Sequence, residues 1–229
     1  MKLFAALLDL LFPPACAVCR GRLPEREQFL CTRCREKVLP AENCCLRCGY
    51  PLSGRMSCSR CLGYDYAFSG ACAVFLYQGE IRKAVRRFKY GGQTGLARPF
   101  GELMAAQVRS CAWPACEAVV PVPLHPERLR ERGYDQALLL ARTVAKVLQL
   151  PVSSCLLRCE NTASQTTLAA KARWNNVRGV FGLQPGVTVP GRVLLIDDLL
   201  TTGATAHYAS ETLLAGGAEA VYLAVLCRS

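Results

Sequence analysis

Two acidic residues follow a short apolar run near the end of the chain, and a loop rich in threonine comes after them. Residues 193–205 read Val-Leu-Leu-Ile-Asp-Asp-Leu-Leu-Thr-Thr-Gly-Ala-Thr. Four apolar residues predict a central parallel strand buried on both faces, with Asp197 and Asp198 at its carboxyl end, where such folds bind ligands. Adjacent carboxylates are costly to hold together unless they face hydroxyls, cations or water. A ribose 2′,3′-diol meets that requirement, and Mg²⁺ can share the charge.

The loop after the acid pair has the chemistry of a phosphate site. Small side chains, hydroxyls and backbone N–H groups precede a predicted helix at 205–215, and helix starts attract anions. Gly203 permits a positive φ or a close approach. A nucleotide-hydrolase magnesium strand and a receiver-type acidic pocket are the alternatives, but the sequence lacks the Gly-x4-Gly-Lys-Ser/Thr grip of a P-loop ATPase. The residues expected to hold a phosphorylated ribose are Asp197, Asp198, Thr201, Thr202, Gly203, Ala204 and Thr205.

Nine of the 15 cysteines lie before residue 62, and eight of them form two similar sets. Each set holds two Cys-x2-Cys pairs, which supply the four thiolates of a tetrahedral Zn²⁺ site. The spacing predicts two structural zinc ions with no open position for catalysis, and disulfides are the alternative. Cys44 is left as a spare thiol or an alternative ligand. The predicted zinc ligands are Cys16, Cys19, Cys31 and Cys34, then Cys45, Cys48, Cys58 and Cys61.

Strands alternate with helices along the rest of the chain. This order predicts an α/β fold in which a parallel sheet is flanked by helices. Residues 158–178 are polar and carry few strand signals. The predicted strands are 71–77, 119–122, 193–196 and 220–226, and the predicted helices are 80–90, 95–110, 136–148 and 205–215.

Positive charge is concentrated in the first part of the chain. The net charge is +11, and this excess favours polyanionic partners such as nucleic acid, with an arginine-rich solvated surface as the alternative. The cysteine-rich module is one candidate surface. The predicted helix 80–90 is a second, because cations cover its polar side and aromatic residues lie near its end, as suits single-stranded nucleic acid. The cations of this helix are Arg82, Lys83, Arg86, Arg87 and Lys89.

The first 13 residues carry an apolar face that predicts a short docking helix ended by Pro13. The segment faintly resembles a secretory signal, but Asp9 interrupts the apolar run and Pro13-Pro14 follow it. No apolar stretch in the sequence is long enough to span a membrane. We therefore expect a cytoplasmic location.

Three blocks of the sequence together resemble the ComF family, which is associated with bacterial competence. Residues 193–205 resemble the phosphoribosyl pyrophosphate motif of type I phosphoribosyltransferases. The block at 120–137 includes Val-Pro-Val-Pro-Leu-His and Arg-Glu-Arg-Gly-Tyr-Asp-Gln-Ala, and the block at 158–181 includes Arg, Thr, Gln, Leu, Arg and Asn at the family's spacing. An N-terminal double zinc ribbon is also typical of that family. One departure is Asp135, where Asn is expected, and it leaves the role of this side chain open.

The resemblance implies a type I phosphoribosyltransferase-like fold behind a zinc-ribbon module. The implied domains are a short helix at 1–13, a double zinc ribbon at 14–65 and a phosphoribosyltransferase-like domain at 66–229. Phosphoribosyl pyrophosphate would bind with Mg²⁺, its pyrophosphate beside residues 123–125, under a mobile hood formed by 158–178. Closing a cationic lid would exclude water from the reactive centre. The further contacts implied are Pro123, Leu124, Arg132 and Arg173.

The sequence leaves the reaction open. His125 and Arg173 are the candidates for catalysis, but no residue stands out as a base, and the acceptor pocket cannot be read. The resemblance implies a role in DNA uptake, with single-stranded DNA and a helicase-like competence protein as partners. The alternatives are a salvage or biosynthetic phosphoribosyltransferase and a sensor that binds phosphoribosyl pyrophosphate without turnover.

Overall fold

A computed structural model describes residues 14–24, 29–52, 54, 57–160, 174 and 177–229. The predicted docking helix at 1–13 lies outside this part of the chain. In chain order the described strands are β1 (Gly70–Leu76), β2 (Ala118–Pro121), β3 (Leu156–Arg158), β4 (Phe181–Leu183), β5 (Arg192–Leu200) and β6 (Ala220–Arg228). The described helices are α1 (Thr32–Arg35), α2 (Ser59–Gly63), α3 (Ile81–Tyr90), α4 (Ala97–Arg109), α5 (Pro126–Arg132), α6 (Gln136–Leu148) and α7 (Ala204–Ala215).

Four strands form a parallel sheet in the order β1-β6-β5-β2. β5 lies between β6 and β2, with Ile196 opposite Ala224 on one side and Pro121 on the other. This central position explains why its first residues are uniformly apolar. The predicted α/β fold with a parallel sheet flanked by helices is confirmed.

Most predicted strand bounds agree with the observed ones to within two residues, but two assignments differ by more. β5 continues four residues past the predicted end at 196, because β6 pairs with it as far as Leu200 opposite Arg228. A separate antiparallel pair joins β3 to β4, beside a segment in which the sequence predicts no strand. Each of these two strands has only three residues, too few for an alternating pattern to be recognised.

Alternation along β5 divides the core between the two faces of the sheet. Leu194 and Ile196 pack in a cluster that includes residues of α3, α4 and α6. Val193 and Leu195 pack in the other cluster, with residues of α7 and Phe181 of β4. Successive side chains of a strand point to opposite faces, so the two acids that follow on β5 are directed toward different sets of elements.

The cysteine-rich segment shares the core of the α/β domain. Cys16 and Cys34 belong to the same buried cluster as Phe88 and Phe100. The ring of Phe29 contacts that of Phe100 edge-on at 5.1 Å. None of the helices within the described residues is both long and apolar enough to cross a membrane.

Candidate functional site

Two groups of four cysteines are assembled by the fold. In each group all four Sγ atoms lie within 4.8 Å of one another. The separation is 3.7 Å between Cys19 and Cys31, 3.7 Å between Cys45 and Cys61, and 3.5 Å between Cys48 and Cys58. Zn–S bonds of about 2.3 Å in a tetrahedron require S–S edges of about 3.8 Å. The two groups therefore fit zinc, and their members are the eight predicted ligands.

Cys44 belongs to neither group. Its Sγ lies 3.5 Å from the carbonyl oxygen of Glu42. Burial raises the pKa of the Cys44 thiol, so the neutral form is favoured. Of the two interpretations of Cys44, the spare thiol fits this geometry.

The acid pair lies at the carboxyl edge of the sheet beside a buried lysine. Asp198 is 7% exposed, and its Oδ1 lies 2.7 Å from Nζ of Lys89, at the end of α3. Asp197 is half-buried, and its Oδ1 accepts a hydrogen bond from the backbone N–H of Asp198 at 2.8 Å. Lys89 thus supplies the cation that two adjacent carboxylates require.

The protonation of this group is set by burial and by mutual charge. Burial raises the pKa of Asp197 to about 7, with a further upward contribution from Asp198 and an opposing one from Lys89. Burial disfavours the charged form of Lys89, but the nearby Asp198 outweighs it and raises the pKa of the ammonium. Asp198 therefore forms an ion pair with the ammonium of Lys89. Asp197 is the carboxyl group whose charge changes near neutral pH.

Residues 201–203 join β5 to α7 and, together with the first two residues of α7, are called the threonine loop here. Gly203 has φ +90°, and a Cβ at this position would clash with the ring of Tyr66. Of the two uses predicted for this glycine, the positive φ is observed, while a close approach by phosphate stays a prediction. Thr202 is buried, and its Oγ1 accepts a hydrogen bond from Ala204 N. The loop is held compactly where α7 begins.

The loop after β2 forms the neighbouring wall. Because β2 pairs with β5 up to Pro121 opposite Ile196, residues 123–125 lie at the same edge as the acid pair. Asp135 accepts hydrogen bonds from the backbone N–H of Leu124 at 3.3 Å and of Leu138 at 2.9 Å. Asp135 therefore caps α6 and holds the loop after β2. These contacts give a role to the aspartate that stands where Asn is expected.

His125 occupies the cap of α5, where Nδ1 accepts a hydrogen bond from Glu127 N at 3.3 Å. This contact gives the ring a structural task. A catalytic role for His125 stays a prediction.

The Arg-Gly-Tyr-Asp-Gln block anchors the end of α3. Tyr134 donates its hydroxyl to the carbonyl of Phe88 at 2.7 Å, and Gln136 donates its amide to that of Lys89 at 3.2 Å. Arg132 donates to Gln136 Oε1 at 2.6 Å, and its guanidinium lies 4.9 Å from the ring centre of Tyr90. This block therefore fixes the backbone from which Lys89 reaches Asp198.

Two of the cations predicted to lie on an exposed face of helix 80–90 are elsewhere. Lys89 points into the site, and Arg87 Nη1 donates to the carbonyl of Ala17 at 2.6 Å, which joins α3 to the first cysteine group. Arg82 and Arg86 are exposed. Lys89 follows Val85 by one helical turn and so borders the apolar stripe, which indicates partial burial of this side chain but does not identify its partner.

The predicted hood is described only in part. Arg173 lies outside the described residues. Burial lowers the pKa of Arg158, on β3, with a further lowering from Arg128, and the carboxylate of Asp197 opposes both effects. The indole of Trp174 stacks on Tyr64 at 5.0 Å with planes 3° apart, and lies 4.9 Å from the ring of His207 on α7. Trp174 thus packs between the end of the cysteine-rich segment and the helix after the threonine loop.

Comparisons with known proteins agree with this organisation. Residues 7–62 match the double zinc ribbon domain. Competence protein F of Haemophilus influenzae is 30% identical over 222 residues, which cover 93% of this chain and 96% of that protein. DNA utilization protein YhgH of Escherichia coli K12 is 28% identical over 224 residues, covering 95% and 98%. A solved structure of glutamine phosphoribosylpyrophosphate amidotransferase from Bacillus subtilis overlaps 61% of this chain and 30% of its own, at 19% identity and a TM-score of 0.41, too loosely to bear on activity.

Proposed function

The chain belongs to the competence protein F family, and we propose that it binds phosphoribosyl pyrophosphate with Mg²⁺ and acts with single-stranded DNA. The observation that carries the first part is the juxtaposition at one sheet edge of Asp197, Asp198 and the threonine loop. The acids would accept hydrogen bonds from the ribose hydroxyls, and the loop and the start of α7 would hold the 5′-phosphate. Bound Mg²⁺ would offset charge on the pyrophosphate.

The surrounding cations support the same assignment. Lys89 neutralises Asp198, which leaves a site that is not strongly repulsive toward an anionic ligand. Arg158 lies near Asp197, and Arg132 lies on α5, which follows residues 123–125. We place the pyrophosphate on this side, beside Pro123 and Leu124, with Arg173 as a contact from the hood.

Titration calorimetry with Mg²⁺ and phosphoribosyl pyrophosphate tests this binding site. We expect heat with the wild-type chain and a loss of affinity of at least about tenfold, or 1.4 kcal/mol, in Asp197→Ala and Asp198→Ala. Glu219→Ala is the matched control, because that carboxylate is exposed and lies just before β6, at the opposite edge of the sheet. The absence of heat with the wild-type chain contradicts the proposal.

The DNA part rests on relatives named for competence and DNA utilization and on the basic surface of this chain. Arg82 and Arg86 are exposed on α3, whose end also carries the exposed ring of Tyr90. Cations for phosphates and an aromatic face for bases suit single strands. A helicase-like competence protein is the protein partner that the family relationship implies.

Fluorescence anisotropy with labelled single-stranded DNA tests this surface. We expect affinity that falls with salt, and a salt slope that decreases by about one for each cation removed in Arg82→Glu/Arg86→Glu. Arg98→Glu/Arg142→Glu is the charge-matched control, since Arg98 is exposed on α4 and Arg142 is exposed on α6. Equal losses of affinity from Arg98→Glu/Arg142→Glu would attribute the effect to net charge, and unchanged binding in Arg82→Glu/Arg86→Glu would exclude the surface.

A pyrophosphate-release screen across bases and amines asks whether the bound ligand is turned over. Release that depends on one acceptor would make the chain a phosphoribosyltransferase. Binding without release across the screen would support a binding or sensing role.

A further inference from the structure

A buried arginine links the second cysteine group to the threonine loop. Arg228, on β6, is 2% exposed. Its Nε donates to the carbonyl of Cys48 at 3.3 Å, and its Nη1 donates to the carbonyls of Leu200 at 2.9 Å and of Thr201. Cys48 is one of the four thiols of that group. One guanidinium therefore touches the backbone of a predicted zinc ligand and the backbone of the loop.

Tyr66 makes a second link from the same side. Its hydroxyl donates to the carbonyl of Thr202 at 3.1 Å, and its ring fills the space beside Gly203. The carbonyl of Tyr66 in turn accepts a hydrogen bond from the side chain of Arg47. Arg47 lies between Cys45 and Cys48 in the sequence, so this contact also leads back to the second group.

These bonds orient three consecutive peptide groups. The carbonyls of Leu200, Thr201 and Thr202 all accept from Arg228 or Tyr66. A trans peptide is planar with its N–H opposite its C=O, and no cis peptide bond occurs among the described residues. The N–H groups of Thr201, Thr202 and Gly203 are therefore directed away from Arg228 and Tyr66. Successive N–H groups on one side form a concavity that favours anions.

The arginine is suited to this task by its shape. A guanidinium presents five N–H donors in a rigid fork, whereas an ammonium is a compact point charge. Arg228 also lies 5.2 Å from the ring centre of Tyr50. Buried carbonyls that lose their hydrogen-bond donor destabilise the folded chain. Lysine at this position would keep the positive charge, but it would not donate at the same time to the carbonyl of Cys48 and to the carbonyls of the loop.

We propose that Arg228 and Tyr66 are positioning residues that couple metal loading of the second cysteine group to the threonine loop. Zinc in that group would then strengthen the binding of phosphoribosyl pyrophosphate. Coupling between two ligands is reciprocal, so the phosphoribosyl ligand would retain zinc in the second group and leave the first group unaffected. The inference rests on the proposed function, because it assigns the loop to phosphate.

Zinc transfer to a chromogenic chelator tests the coupling on the full chain. With Mg²⁺ and phosphoribosyl pyrophosphate present, we expect one of two zinc equivalents to leave at least about fivefold more slowly, within the usual range of coupling. Arg228→Lys should still bind two zinc ions, lose this protection and bind the ligand at least about tenfold more weakly. Arg192→Lys is the matched control, because Arg192 lies at the other end of β5.

A second measurement needs no ligand. Hydrogen–deuterium exchange of the peptide that covers 200–203 should accelerate in Arg228→Lys and in Tyr66→Phe, which lacks only the hydroxyl. Unchanged exchange would overturn the inference whether or not the ligand binds. If the wild-type chain binds the ligand but both zinc equivalents leave at unaltered rates, the coupling is absent while the proposed function stands. If the wild-type chain binds no ligand, the proposed function itself fails.

Discussion

Gly203 meets two independent requirements, and only glycine satisfies both. Its φ of +90° is unfavourable for other residues, and a Cβ would enter the ring of Tyr66. We expect Gly203→Ala to lower the melting temperature and to weaken phosphoribosyl pyrophosphate binding at least about tenfold. Gly186→Ala is the control, because Gly186 has φ +76° with open space around it. It should share the backbone strain, with a loss of about 1–2 kcal/mol, and bind normally.

Asp197 makes the stability of the ligand-free protein depend on pH. Its pKa is raised to about 7 in the folded chain, whereas an unfolded aspartate titrates near about 3.9. Between these values the folded state binds more protons than the unfolded state, so stability falls as pH rises from about 4 to about 7 and then levels off. Urea unfolding at several pH values measures this.

Asp197→Asn separates this group from the other acids of the chain. The amide cannot ionise, so we expect the decline between pH 4 and 7 to flatten and the variant to be more stable than the wild type at pH 8. An unaltered pH profile in Asp197→Asn would show that another group is responsible.

The acid pair and Gly203 could be predicted from the sequence because their signals are local. A strand, two acids, threonines and a glycine follow one another within thirteen residues. The sequence could not predict the roles of Lys89, Tyr66 and Arg228, because each of these residues contacts the loop or the acids across a long stretch of chain. Their roles depend on which strands pair and which helix end faces the sheet edge, and neither follows from helical or strand periodicity.

At the scale of elements, α6 depends on a single cap. Asp135 accepts from Leu138 N and also from Leu124 N, so it joins the start of the helix to the wall of the site. We expect Asp135→Ala to lower the free energy of unfolding by about 1 kcal/mol, as measured by urea denaturation. Asp135→Asn should recover most of this loss, since its carbonyl oxygen can still cap α6. Equal losses in the two variants would contradict the capping role.

Element boundaries were harder to predict than element types. Helix α6 was predicted to run from 136 to 148, and its observed bounds are Gln136–Leu148. The predicted end of β5 was early, because Asp197 and Asp198 look unlike strand residues. The pairing of Asp197 with Val225 and of Leu199 with Cys227 is a tertiary effect, because β6 provides backbone hydrogen bonds that residue preferences alone do not predict.

At the scale of the whole molecule, the first cysteine group and the α/β domain have one core. Cys34 is buried in the cluster that contains Phe88 and Phe100. We therefore expect Cys34→Ser to remove one zinc per chain and to lower the melting temperature of the entire chain by at least about 5 °C in a single transition. Metal analysis and calorimetry measure both effects. Cys44→Ser should retain two zinc ions, and two separate transitions in Cys34→Ser would show that the module unfolds independently.

The chain has two tryptophans, and they lie at opposite ends of the sheet. Trp113 stacks on Tyr222 near the start of β6, whereas Trp174 stacks on Tyr64 and approaches His207 beside the threonine loop. Intrinsic fluorescence therefore has one contribution from Trp113, far from the threonine loop, and one from Trp174, beside that loop. In Trp113→Phe, the remaining tryptophan emission would come from Trp174 alone, so that binding of phosphoribosyl pyrophosphate could be followed in real time without an attached dye.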